Sequence, residues 1–436
     1  PKNMNIKDQA NRLLLHPERR FGADLDTWMV DVGGEGLENA LQDPDSIIPT
    51  IKNAELLGLG GSGFPTHIKW SYVSEEGLNE DGSRSTDIDK YLICNGNEDE
   101  PGTFKDRILL KETPHQVIEG ALITALGVGA NQIVFYINPE QKGSLEAMEE
   151  ATEQWSDSTL LQRISTELGR PLELFVVASS GHYIGGEETA ALESIEGNFP
   201  FPRGKPPYPA KAGLFGMPTL INNIETIANV SHIMRNGAEW FKSLGRGSSH
   251  GTKIFSLSGD VLRPGAYELP MGTPLQELID IHGGGMLLNR KLKAVFMGGP
   301  SNTILTPKDL DVPLDFYKVQ ERRSSLGTGA MIVVSEGTGV VRRVTEYISF
   351  FAKSSCGQCP SCKTGTYYAA QLLTKIDSGS GSQADLDTLI NLTKILPGSG
   401  RCHLLDGAMK LLDSSLYHFM DEYEQPLLID KTVDNR

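Results

Sequence analysis

Three patterns predict an α/β domain, then a small β-rich module, then a C-terminal helical bundle. Short β-rich runs alternate with helix signals through the first half, a compact strand-rich stretch follows from Lys253 to about Leu305, and apolar residues recur at helical spacing around a cysteine triplet. The 436 residues suit two or three domains, and 39% hydrophobic composition is ample for ordinary cores.

In the first half, "YLICN" (91–95), "QIVFYIN" (132–138) and "LELFVVAS" (172–179) read as strands. "TPHQVIEGALITALG" reads as a helix capped by Thr113 with Pro114 at its first position. In the module, "KIFSLSGDV", "GAYELP" and "KAVFMGG" are strand-like, and "PLQELIDIHGG" is helix-like. Toward the C-terminus, Val340, Val344, Ile348 and Phe351 predict one helix, the segment around Tyr368 to Ile376 a second, Leu386 to Leu396 a third, and Leu405 to Tyr423 a fourth.

The formal charge of −16 argues against wrapping nucleic acid or anionic lipid. No stretch reaches the roughly 18 apolar residues of a membrane span, and no secretory signal pattern opens the sequence, so a cytoplasmic place, or one peripheral to a membrane complex, is expected.

"SCGQCPSCKTG" spaces Cys356, Cys359 and Cys362 two residues apart twice over, and "GRCHLLDGA" brings Cys402. One loop can wrap three corners of a metal-sulfide cube while a distant cysteine closes the fourth, so the pattern favours a [4Fe-4S] cluster. Structural zinc, which more often takes two separated pairs, and plain buried thiols are the rival readings. His403 is an alternative ligand by position, and Cys94 reads as a spare.

Three further stretches invite chemistry. "GLGGSGFPTHIKW" (58–70) clusters glycines whose N–H groups could approach an anion, although a tight turn explains them equally. "NGNEDEPGTFKDR" (95–107) ends a strand with amides and carboxylates, which as charges alone could be solvated. "GGEETAALESIEG" (185–197) puts Glu187 and Glu188 at a helix start, where the helix dipole alone favours them.

In this order, and with "PFPRGKPPYPAKAGLFGMPTLINNIETIANV", these motifs resemble the flavin- and NADH-binding subunit of respiratory complex I and its soluble relatives in NAD-linked hydrogenases, formate dehydrogenases and electron-bifurcating complexes. The resemblance covers roughly Leu56 to Tyr423. It implies an N-terminal extension (1–55), an α/β FMN/NADH domain (56–240), a β-grasp module of the soluble-ligand-binding type (241–330) and a helical [4Fe-4S] domain (331–436).

Carried over by motif, the flavin site comprises Gly58, Gly60, Gly61, Lys69, Asn95, Asn97, Glu98, Gly186, Glu187, Ile221, Asn222, Asn223 and Thr226. The NADH side comprises Phe64, Tyr72, Glu100, Glu188, Lys205 and Tyr208, with Glu100 and Glu188 as its catalytic carboxylates. The implied activity is hydride exchange between NAD(H) and FMN, then one-electron transfer through the [4Fe-4S] cluster to a [2Fe-2S] thioredoxin-like subunit and a larger iron-sulfur subunit. Alternatives are a bifurcating or confurcating flavin subunit and a non-catalytic iron-sulfur relay.

The sequence departs from the complex I pattern at Leu59 (usually Arg), Asn97 (Asp) and Gly185 (often Cys). The missing Asp charge implies an easier flavin reduction and a soluble or bifurcating host.

Overall fold

The computed structural model describes residues 10–433, with side chains through Leu427. The outermost parts of the expected N-terminal extension and C-terminal domain, residues 1–9 and 434–436, lie outside the described residues. The first domain is built on four parallel strands, β1 (Tyr91–Gly96), β2 (Gln132–Ile137), β3 (Glu173–Ala178) and β4 (Thr219–Asn223), in the order β3-β2-β1-β4. Leu92 and Ile93 on β1 are both fully buried although they face opposite sides, as a strand covered by helices on both faces requires. The strand β4, "TLINN", escaped the sequence reading because two of its five residues are asparagines and it has no apolar run.

Helix Pro114–Val128 is buried along its whole length. It crosses helix Ile224–Asn236 so closely that a Cβ on Gly120 would come within 2.0 Å of the Ile227 carbonyl. Its expected Thr113 cap holds in position but not in bonding. The Thr113 hydroxyl donates back to Leu109 O (3.1 Å) and accepts from Gln116 Nε2 (2.7 Å), so it does not reach the helix N–H groups.

Described residues of the expected N-terminal extension are part of this domain's core. Leu14, Leu15, Trp28, Leu37, Ile47 and Ile51 are buried in one cluster with Leu122 and Phe135. A strap at 11–15 also reaches the second domain: the Glu268 carboxylate accepts from Leu13 N (3.1 Å) and Leu15 N (3.0 Å), while Gln116 Nε2 donates to Leu14 O (2.9 Å).

The second domain is a mixed sheet of β5 (Thr252–Gly259), β6 (Gly265–Pro270), β7 (Leu292–Met297), β8 (Ile304–Leu305) and β9 (Ala330–Ser335), in the order β6-β5-β9-β7-β8. Because β9 is the central strand, the expected boundary at 330 cuts the sheet; the domain runs to Ser335. "PLQELIDIHGG" forms helical turns over Leu275–His282.

Four helices follow, Val340–Ser354, Pro360–Asp377, Gln383–Ile395 and Leu404–Val433, the last extending ten residues past the expected Tyr423. Val344, Ile348, Phe351, Leu373, Leu389, Leu405 and Tyr423 share their core. The third starts with a capping box in which Ser382 and Asp385 satisfy each other's backbone N–H. No helix among the described residues is long and apolar enough to cross a membrane.

Candidate active site

The loops that leave the C-terminal ends of β1, β3 and β4 meet at one edge of the parallel sheet, the usual place for a ligand in such a sheet. They enclose a cavity of about 790 Å³. Of the expected site residues, Gly60, Asn95, Glu98, Glu100, Gly186, Glu187, Lys205 and Asn223 line it, and so does Cys402 from the helical domain. Gly60 is required by close approach, since a Cβ there would lie 2.8 Å from Asn223 Cβ.

Glu188 lies behind this lining between two lysines. It accepts from Lys69 Nζ (3.1 Å) and from Lys205 Nζ, and Lys69 also donates to Ile221 O (2.8 Å). Burial works to raise the Glu188 carboxyl, but the two ammonium groups outweigh it and hold it below the usual carboxylate range. Glu187 caps its helix through Thr189 N and Ala190 N, both at 2.9 Å. Phe64, Tyr72 and Tyr208 expose aromatic faces, Tyr72 and Tyr208 by about 60%.

Glu100 accepts from Tyr183 Oη (2.7 Å) and from Ser301 N (3.2 Å), and burial pushes its carboxyl up. It therefore touches the second domain directly, since Ser301 follows β7, and reaches the helical domain through Tyr183, which packs on Phe350 and Phe351 at centroid distances of 5.1 and 6.0 Å. Tyr183 and Ser301 line the cavity and were missed by the sequence reading, as were Lys105, Arg203 and Thr328.

Several expected flavin residues turn their polar atoms into the protein. The Asn97 side chain is fully buried, donating to Asp99 Oδ2 (2.8 Å) and His182 O (3.2 Å) and accepting from the Ser179 hydroxyl. Asn222 Oδ1 accepts from Trp70 Nε1 (2.8 Å), and Thr226 Oγ1 accepts from Leu59 N (2.9 Å). Glu98, held at a positive φ of 23°, accepts from Lys105 N (2.8 Å), Asp106 N and Arg107 Nε (2.7 Å), and so closes the start of helix Asp106–Glu112. Gly58 closes its own turn, donating to Phe64 O (2.8 Å), and Gly61 adopts φ +145°.

Next to the cavity, Cys356, Cys359, Cys362 and Cys402 line one hollow with Ile184 and Pro202. Arg401 N donates to Cys359 Sγ (3.3 Å), and burial pushes the Cys402 thiol up to about 11. Among the described residues, no three His, Cys, Asp or Glu side chains are gathered to hold a single metal ion. Three of the four sulfurs come from one short loop, a spacing that suits a polynuclear group better than a single zinc ion. The His403 side chain is fully exposed, and Cys94 is buried on β1.

Comparison with known proteins gives the same three parts. The profile of the Nuo51 FMN-binding domain matches residues 51–232, that of the SLBB domain 254–304, and that of the NADH-ubiquinone oxidoreductase-F iron-sulfur binding region 342–426. The second NADH-quinone oxidoreductase F subunit of Rhizobium meliloti is 40% identical, over 92% of this chain and 93% of the relative. This chain belongs to the family of NADH-quinone oxidoreductase F subunits. The F subunit of Escherichia coli is 37% identical, over 92% of this chain and 89% of its own length. In a NAD+-reducing [NiFe]-hydrogenase in the H2-reduced state, a chain 34% identical superposes with a TM-score of 0.81, over 94% of this chain and 67% of that one.

Two of the departures that the resemblance implies fit their surroundings in this structure. Leu59 is 2% exposed and belongs to the apolar core of the second domain, where an Arg would bury an unpaired charge. A Cβ on Gly185 would meet Ser180 Oγ and Tyr136 Oη at 3.0 Å, so a Cys there would be crowded.

Proposed function

We propose that NADH and FMN meet in the cavity between the sheet's C-terminal edge and the helical domain, and that electrons leave toward Cys402. The chain is an NADH dehydrogenase-type subunit, with FMN, NAD(H) and a [4Fe-4S] cluster as its cofactors. The observation that carries the placement is the shared wall: glycine loop, acidic loop and Cys402 all line one cavity.

The residues fit these groups. The volume is within the roughly 300–1,000 Å³ of small-molecule and cofactor sites. Gly60 and Gly186 leave backbone against the space, and Lys205 and Arg401 offer cations to phosphates, whereas the Arg203 guanidinium is held by Glu193 and Glu196. When bound, the flavin and the cluster supply the exchange between the two-electron chemistry of a hydride and one-electron transfer.

The chain's own residues orient and enclose. Phe64, Tyr72 and Tyr208 offer faces for an adenine. Lys205 meets phosphate while Glu188 keeps its ammonium in place. Glu100, fixed by Tyr183 and Ser301, presents a carboxyl to the nicotinamide end. Asn95 and Gly186 join the two loops across the site, Asn95 Nδ2 donating to Gly186 O (3.0 Å). Cys356, Cys359, Cys362 and Cys402 hold the cluster. No side chain is needed as a nucleophile.

The relatives are named as subunits, so this chain works with partner subunits. We assign them as a [2Fe-2S] thioredoxin-like subunit and a larger iron-sulfur subunit, meeting the chain outside the bilayer; the second domain is read as a β-grasp module and the third as a helical bundle. Absorbance of the purified chain tests the function: flavin bands that bleach on adding NADH are expected, and cluster bands alone would mean a relay subunit.

A further inference from the structure

Beneath the cavity runs a chain of buried charges that crosses a domain boundary. Lys105 Nζ, 1% exposed, reaches Asp106 Oδ1 (2.7 Å), Glu225 Oε2 (3.0 Å) and Asn223 Oδ1 (3.0 Å). The same Glu225 oxygen receives Lys253 Nζ at 2.5 Å, from β5 of the second domain, and Glu225 Oε1 accepts from Ile254 N (2.7 Å). Lys253 and Glu225 are fully buried and do not line the cavity, whereas Lys105, Asp106 and Asn223 do.

Asn223 is saturated by this network. Its Oδ1 accepts from Lys105 Nζ and Glu225 N (3.0 Å), and its Nδ2 donates to Asp106 Oδ2 (2.7 Å) and Asn95 O (3.3 Å). Its amide cannot turn without breaking ion-paired contacts, and Gly60 rests against its Cβ. Moving Lys105 therefore moves the cavity floor. With Arg107 on Glu98, the network holds three cations, Lys105, Arg107 and Lys253, against three anions, Glu98, Asp106 and Glu225.

We propose that Lys253 is a positioning residue contributed by the second domain to the flavin cavity: through Glu225 it balances and places the Lys105 ammonium, and thereby sets the potential of a flavin bound above. The inference rests on the reading that the cavity holds FMN. Removing the Lys253 charge leaves Glu225 to Lys105 alone. Lys105 is drawn from Asn223, and the floor carries one net negative charge, which opposes the more electron-rich reduced flavin. A buried ion pair with a purely structural role would change stability without that electrical signature.

The test is a redox titration of the whole 436-residue chain, loaded with FMN. Lys253→Met should lower the flavin midpoint by about 30 mV or more, a tenfold loss of preference for the reduced form in a two-electron couple. Glu225→Gln should raise it, and the double variant, whose charges balance again, should return near the parent. An unshifted midpoint in FMN-loaded Lys253→Met, or a double variant that follows the single one, overturns the proposal. If Lys253→Met does not retain FMN, Glu225→Gln decides alone, and no rise overturns it. A parent chain that binds no FMN is a different failure, that of the cavity assignment.

Discussion

Asn97→Asp tests which way the side chain at the end of β1 points. If Asn97 faced the flavin, as its motif implies, the new carboxylate would lower the flavin midpoint and cost little stability. The structure gives the opposite expectation. Asn97 Nδ2 donates to Asp99 Oδ2 and to His182 O, and Asp has no N–H for either. One lost bond is to a charged group, about 1.5–3 kcal/mol, and one is neutral, about 0.5–1.5 kcal/mol, so the loss is roughly 2–4 kcal/mol. In a unit of 150–250 residues that lowers the melting temperature by roughly 4–16 °C.

The loss depends on pH. Burial holds the Asp99 carboxyl at about 6 against its bonds to Asn97 and Asn138, and a second carboxyl within 3 Å or so would raise the pair further. A carboxyl raised in the folded state contributes stability in acid that disappears as pH rises through the folded value. The deficit of the variant should therefore be small at about pH 5, where the pair shares a proton, and reach its full size at about pH 8. Thermal melts of both chains across that range are the assay. Equal melting temperatures at the alkaline end, or a deficit that grows on acidification, would refute the buried placement of Asn97.

Glu100→Gln should raise the KM for NADH in steady-state assays while FMN remains bound, since Tyr183 and Ser301 still hold the side chain; loss of FMN or unchanged kinetics counts against the assignment. Cys402→Ser should abolish or sharply reduce iron and acid-labile sulfide in the purified chain, whereas Cys94→Ser, buried on β1 away from the hollow, should leave both unchanged.

Much of this was legible in the sequence, and the limits have physical causes. The runs 91–95, 132–138 and 172–179 are apolar enough to declare strands, although β3 lies at the sheet edge and is only partly covered, but β4 carries Asn222 and Asn223 where an apolar residue would have marked it. Cysteine spacing marked Cys356, Cys359 and Cys362 as candidate ligands because metal chemistry acts on local spacing, and the structure brings Cys402 to the same hollow. Motif membership placed Asn97, Glu98, Asn222 and Thr226 near the site but could not give their direction, because their polar atoms answer to distant groups such as Ser179, Trp70 and Leu59 N. Tyr183 and Ser301 join Glu100 across 83 and 201 residues of chain, a separation no local pattern reports.

The strap at residues 11–15 has a consequence for the order of synthesis. Leu13 and Leu15 leave the ribosome before their acceptor, Glu268, which lies 255 and 253 residues downstream. At roughly 5–20 residues per second the acceptor follows some tens of seconds later. For that interval Leu13, Leu14 and Leu15 can bury against helix Pro114–Val128, but the N–H groups of Leu13 and Leu15 lack their carboxylate acceptor. The flavin domain thus cannot lock the strap until β6 has been made, and a nascent chain arrested before Glu268 should expose this segment to protease even after its parallel sheet has formed.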